Sequence, residues 1–203
     1  MRLYHNPLSS SARRALMTAI HLGVKFESVI IDLSKPEHRR QLEQVNPNAK
    51  VPVLVDGDFV LWESYAIMQY LADRTPGQTV LPKEARARAE VNRWMFWGAS
   101  HFAPAIGILG WENWMKGLVG AGAPDPREVE RGEIEVAKYA PILDAHLADR
   151  DWLCGDDVTL ADLAIAPVLM VTDLARLPIR QYDNIQAWYA RVRELDAWQR
   201  TSL

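Results

Sequence analysis

The chain opens on a short apolar stretch around Leu3 and Tyr4 and breaks into a polar turn, Pro7-Leu8-Ser9-Ser10-Ser11. It then sets Ala12, Leu16 and Ile20 at helical spacing ahead of Gly23. This pattern predicts a strand, a turn and an amphipathic helix that stops at the glycine. Val24 to Leu33, centred on Val29-Ile30-Ile31, predicts a second strand, and a strand-helix-strand unit implies a parallel pair with a right-handed crossover. Val51 to Val55, the turn Asp56-Gly57-Asp58 and Phe59 to Trp62 read as a hairpin. Glu63-Ser64 then opens a helix with Ala66, Ile67, Tyr70 and Leu71 on one face.

After Arg74-Thr75-Pro76-Gly77-Gln78, a cluster of breakers followed by Leu81-Pro82, strand signals stop, which marks a linker. The expected organisation is an α/β domain over 1–75 and an all-helical domain over 83–203. Lys83 to Trp97 is helical in pattern. Asp125 followed by Pro126 has the form of an N-cap with proline at the first helical position, opening a helix through about Leu147. Thr159-Leu160-Ala161-Asp162 has capping-box spacing, with Asp162 in the place usually held by Glu or Gln, and Val158 and Leu163 stand where a hydrophobic staple would sit.

Composition narrows the function. A chain of 203 residues with 49% hydrophobic residues can bury a sizeable core. A formal charge of -3 gives no electrostatic case for nucleic acid or an anionic membrane. The absence of a long apolar run and of a charged-then-apolar leader predicts neither a transmembrane helix nor a signal peptide. A single cysteine, Cys154, cannot form an internal disulfide, which suits a reducing, cytoplasmic setting. It lies far in sequence from the serine turn and is expected to be structural.

The stretches "LYHNPLSSSARRALMTAIHLG", "NPNAKVPVLVDGDFVLWESYAIMQYL" and "TLADLAIAP" resemble cytosolic glutathione S-transferases, in particular their bacterial, delta-like, phi-like and beta-like forms. The resemblance implies an N-terminal thioredoxin-like domain that binds glutathione and a C-terminal helical bundle domain supplying a hydrophobic acceptor site. It also implies a homodimer with the cleft between the two domains, and a small hydrophobic electrophile as second substrate. A glutathione-dependent dehalogenase, a disulfide reductase and a non-enzymatic binding or scaffold protein are the alternatives on the same scaffold.

The chemistry that glutathione requires points to particular residues. A free thiol with a pKa near 8.5 is mostly protonated at neutral pH, and lowering that value by ~2 units needs about 2.7 kcal/mol of selective stabilisation. A hydroxyl donating to the thiolate contributes roughly 1.5–3 kcal/mol and the positive end of a helix about 0.3–1. A serine at the strand-to-helix turn therefore suffices to activate the sulfur without being the nucleophile. By resemblance Ser9 holds the activating position of delta-like and phi-like members and Ser10 that of the beta-class cysteine, while Ser11 is also in reach. All three are equally good helix caps. Tyr4 is the other hydroxyl nearby, with a buried strand role as the simpler reading.

For the peptide part of glutathione, a cis bond at Val51-Pro52 would turn the Val51 N–H and C=O outward for strand-like pairing. Lys50 can reach the glycyl carboxylate, and in the Ser34–Arg39 loop the resemblance to phi-like members, which place a histidine and a cation near the glycyl end, implies His38 together with Arg39 or Lys35. The γ-glutamyl end suits a helix N-terminus, with Ser64 on the carboxylate and Glu63 on the ammonium. In the helical part, His101 and Phe102, after Gly98-Ala99-Ser100, are candidates for lining the acceptor cleft. The many tryptophans around them are expected to be core.

Overall fold

The computed structural model describes residues 1–202, which divide into two units: Met1–Pro82 with residues 193–202, and Lys83–Val192. Unit 1 begins β1 (Arg2–His5), α1 (Ser10–His21), β2 (Glu27–Ile30) and α2 (Pro36–Glu43). It continues β3 (Val53–Asp56), β4 (Phe59–Trp62) and α3 (Ser64–Arg74). The four strands form one mixed sheet in the order β2-β1-β3-β4. β1 and β2 are parallel, as the intervening helix demands, and β3 pairs antiparallel with both β1 and β4.

Alternation along the strands buries both faces of this sheet. Leu3 and Leu54 pack with Ala15, Leu16 and Ala19 of α1 and with Ile67 and Leu71 of α3. Tyr4, Val53 and Val55 face the other way, into a cluster with Ile31 and with Leu42 of α2. The Tyr4 ring is thus part of the core, 4% exposed. The hairpin matches its expected position, with Gly57 at φ +64° supplying the left-handed turn residue. The second strand is shorter than its apolar run; just past its end Ile31 still donates its N–H to the His5 carbonyl at 2.7 Å, and its side chain joins the cluster with Leu42 of α2.

Unit 2 is helical: α4 (Ala85–Trp97), α5 (Ala103–Gly110), α6 (Lys116–Leu118), α7 (Pro126–His146) and α8 (Leu160–Ile165). α9 (Asp183–Glu194) runs to the boundary and α10 (Asp196–Gln199) belongs with unit 1. Single π-helical turns, Gly98–Phe102 and Trp111–Met115, join α4 to α5 and α5 to α6. Asp125 caps α7 by accepting from the Arg127 N–H at 2.9 Å, with Pro126 at the first turn. The capping box opening α8 is present, and Asp162 extends it: its other carboxylate oxygen accepts from the Leu153 N–H at 2.9 Å and from Trp188 Nε1 at 2.8 Å. Burial pushes the Asp162 carboxyl above the ordinary range while four donors, these two with the Thr159 N–H and hydroxyl, hold it in place. No helix of the described residues is long and apolar enough to cross a membrane.

Candidate active site

Strand register decides which turns meet. Across the sheet Val29, Tyr4, Val53 and Trp62 lie in one row, and His5 pairs with Ile30. β1, β2 and β4 end at this row whereas β3 begins beside it. The serine turn after β1, the loop after β2, the Lys50-Val51-Pro52 segment before β3 and Glu63-Ser64 after β4 therefore all leave the sheet at the same end. Residues up to 55 positions apart share that end because of three short ladders.

The serine turn is built by Asn6. Its side-chain amide donates to the Ile31 carbonyl at 2.7 Å, its side-chain oxygen accepts from the Leu8 N–H at 2.9 Å, and its carbonyl accepts from the Ser9 N–H at 3.0 Å. Ser9 is the N-cap of α1, extended at φ -94° and ψ 111°, with its hydroxyl oxygen accepting from the Ala12 N–H at 3.2 Å. That bond uses a lone pair, so the hydroxyl hydrogen remains a donor. Ser10 and Ser11 are the first two residues of the helix, where N–H groups lack an intrahelical acceptor. All three serines are half-buried.

Before β3 the Val51-Pro52 bond is cis. Its approach is fixed by Asn46, a 3% exposed side chain whose amide donates to the Lys50 carbonyl at 2.7 Å. The Asn46 side-chain oxygen accepts from the Asn48 N–H at 3.0 Å. Ala49 takes φ +50°, and the Lys50 side chain is exposed. Neither Asn6 nor Asn46 stands out in the sequence beyond the turn-forming Asn-Pro pairs that contain them, since only their buried partners mark them as organisers.

Glu63 sits at φ +74°, a left-handed conformation costly for a residue with a Cβ, and its side chain makes no cap hydrogen bond to α3. The first N–H groups of this eleven-residue helix are thus left without a side-chain cap, next to the buried Ser64. The stretch expected as a loop after β2 is helical from Pro36 because proline suits a first helical turn, so His38 and Arg39 sit on α2 and Lys35 is its N-cap. His38 Nδ1 accepts from the Asp32 N–H at 2.9 Å, which leaves Nε2 as the protonated nitrogen of the neutral ring. Lys35 is exposed and 3.9 Å from Asp32, and Arg39 is exposed beside Glu43.

Two family models match, the glutathione S-transferase N-terminal domain over residues 1–73 and the glutathione S-transferase C-terminal domain over residues 102–196. Glutathione S-transferase F10 of Arabidopsis thaliana is 33% identical over 202 residues, covering 97% of this chain and 94% of the relative. The chain belongs to the glutathione S-transferase family. Glutathione S-transferase 3 of Zea mays is 34% identical over 208 residues, 99% of this chain and 92% of the relative. The theta-class glutathione S-transferase of Xanthomonas axonopodis pv. citri, solved with glutathione bound, superposes with a TM-score of 0.85 at 29% identity, over 100% of this chain and 96% of that one.

In this glutathione S-transferase the two helical-unit candidates differ. Phe102 is 0% exposed and stacks on Trp97 with ring centroids 5.5 Å apart, so it fills the core of its own unit. His101 is exposed and stacks on Tyr139 at 5.2 Å. Cys154 is half-buried, and burial followed by the nearby Asp162 charge pushes its thiol up to about 12, far from the reactive range.

Proposed function

We propose that this glutathione transferase activates the thiol of its co-substrate, glutathione, through the Ser9 hydroxyl, for attack on small apolar electrophiles. The observation that carries the reading is the shared end of the sheet. One turn offers a hydroxyl at a helix N-terminus, one a Val51 backbone beside a cis proline, and one an uncapped helix N-terminus at Ser64. These match a thiol, a peptide and an anionic γ-glutamyl group. Glu63 and Ser64 hold the glutamyl end, Val51 pairs with the peptide, and Lys50, His38 and Lys35 serve the glycyl carboxylate. The cap bond to Ala12 holds the Ser9 oxygen in place while its hydrogen points to the sulfur. The first α1 N–H groups, including those of Ser10 and Ser11, add the helix dipole. On the helical unit His101 is the candidate for the acceptor side. The protein acts as a homodimer in the cytoplasm.

The test is the titration of bound thiol. In Ser9→Ala the peptide contacts persist, so glutathione affinity changes little while the bound-thiol pKa rises by about one to two units, each unit being about 1.36 kcal/mol against a lost bond of roughly 1.5–3. Turnover near neutral pH falls at least about tenfold and recovers partly at high pH. Separate Ser10→Ala and Ser11→Ala variants titrate like the parent. A shift in one of them instead moves the role to that residue, and no shift in any of the three refutes hydroxyl activation.

A further inference from the structure

The last residues of the chain return to unit 1, and one side chain explains where they land. Arg13 sits in the first turn of α1 and is 4% exposed. Its guanidinium donates to the Trp198 carbonyl at 3.1 Å, to Thr201 Oγ1 at 3.1 Å and to Ser202 Oγ at 3.3 Å, and lies 3.7 Å over the Trp198 ring. The two hydroxyls are themselves aimed: Thr201 donates to the Ala197 carbonyl at 2.8 Å and Ser202 to the Trp198 carbonyl at 3.0 Å, which leaves their lone pairs facing Arg13. Trp198 is 6% exposed and Ala197 2%. The tie closes a loop of 185 residues.

Helical side chains lean toward their own N-terminus, so the Arg13 side chain leaves α1 on the side of the serine turn. The Arg13 backbone N–H donates to the Ser9 carbonyl at 2.9 Å. Residue 13 therefore grips Ser9 with its backbone and the C-terminal segment with its side chain. The planar guanidinium uses a fork of donors and one aromatic face, a combination that a lysine cannot reproduce.

We propose that Arg13 is a positioning residue and that segment 198–202 is the anchor it works against. Together they fix the first turn of α1, and with it the direction of the Ser9 hydroxyl, so that thiol activation depends on the far end of the chain. This rests on the Ser9 reading above.

The experiment compares bound-thiol titration and steady-state kinetics in the full-length chain for Arg13→Met, Arg13→Lys and the double variant Thr201→Val with Ser202→Ala. Arg13→Met is expected to raise the bound-thiol pKa by about one unit and to lower kcat at pH 7 about tenfold, with KM for glutathione held within about twofold because the Val51 and Ser64 contacts are untouched. Arg13→Lys keeps the charge but loses the fork, and behaves like Arg13→Met. The double variant leaves Arg13 and the serine turn intact and shifts the thiol in the same direction by less; if Arg13→Met does not fold, this variant decides. An unshifted thiol in the double variant overturns the proposal. So does an Arg13→Lys enzyme that matches the parent, since charge and not placement would then be responsible. A rise in KM with the pKa unchanged also overturns it. Failure of Ser9→Ala to shift the thiol would refute the underlying reading instead, and the two failures are separately visible.

Discussion

Single residues at this site do more than one job. The Ser9 oxygen caps α1 and the same hydroxyl can still donate to sulfur, so capping and activation are compatible roles. Asn46 and Asn6 each hold a turn through bonds that no periodicity announces. His5, next to the serine turn, is 7% exposed, with Nε2 bonded to Ser28 Oγ at 2.6 Å and Nδ1 enclosed without a hydrogen-bond partner. Burial lowers its pKa below the usual 6.5. The folded protein therefore takes up this proton less readily than the unfolded chain. The associated stability is present above about pH 6.5 and is lost as pH falls through that value toward the folded pKa. Thermal scans should show Tm falling between about pH 7 and pH 5, and His5→Gln should flatten that slope. His21, lowered by burial in the same way, supplies the residual slope in the variant. An unchanged slope would mean that His5 is protonated without cost.

At the scale of elements, each helix and turn follows local rules until a neighbour intervenes. The periodicities that gave α1, the hairpin, α3 and α7 are local, and the structure keeps all four. Local rules also explain the capping box, but the tie from Asp162 to Trp188 at 2.8 Å joins α8 to α9 across 26 residues and has no sequence spacing of its own. The contact between α5 and α7 is another such case. Gly132 of α7 has Leu109 side-chain atoms 2.8 Å from where a Cβ would sit, and Leu109 is itself 0% exposed and cannot swing aside. Gly132→Ala gains about 1 kcal/mol of helix propensity and incurs an overpacking cost of about 1–3 kcal/mol, so the second effect should prevail. The expected result is a net loss of up to about 2 kcal/mol, a few degrees of Tm, part of which Leu109→Val restores in the double variant. A Gly132→Ala protein more stable than the parent would show that the helices separate without cost.

For the whole molecule, the outer strand β4 leaves Val60 and Trp62 on one face of the sheet exposed at 40% and 38%, with Phe59 on the opposite face at 45%. The Val60 and Trp62 pair is the apolar surface on which the homodimer proposal is tested. Sedimentation at micromolar concentration should give about twice the chain mass of 23.0 kDa, and a monomer there would refute the homodimer. The chain divides into compact units at Pro82 and again after Val192. Residues 193–202 group with unit 1, where Arg13 takes the Trp198 carbonyl and the Thr201 and Ser202 hydroxyls. By itself the sequence determined what is local: the element types except α2, whose polar turn reads as a loop, the hairpin, the caps at Asp125 and Thr159, and the residue types at the serine turn, Val51-Pro52 and Glu63-Ser64. Those are properties of side-chain periodicity and of backbone preference over a few residues, and they are written wherever the chain is read. Only the tertiary structure decided that four turns share one end of the sheet, that Phe102 is enclosed while His101 is exposed, and that the chain's end braces its beginning. Such facts depend on register and on where buried donors find acceptors, and partners separated by tens to hundreds of residues leave no periodic trace.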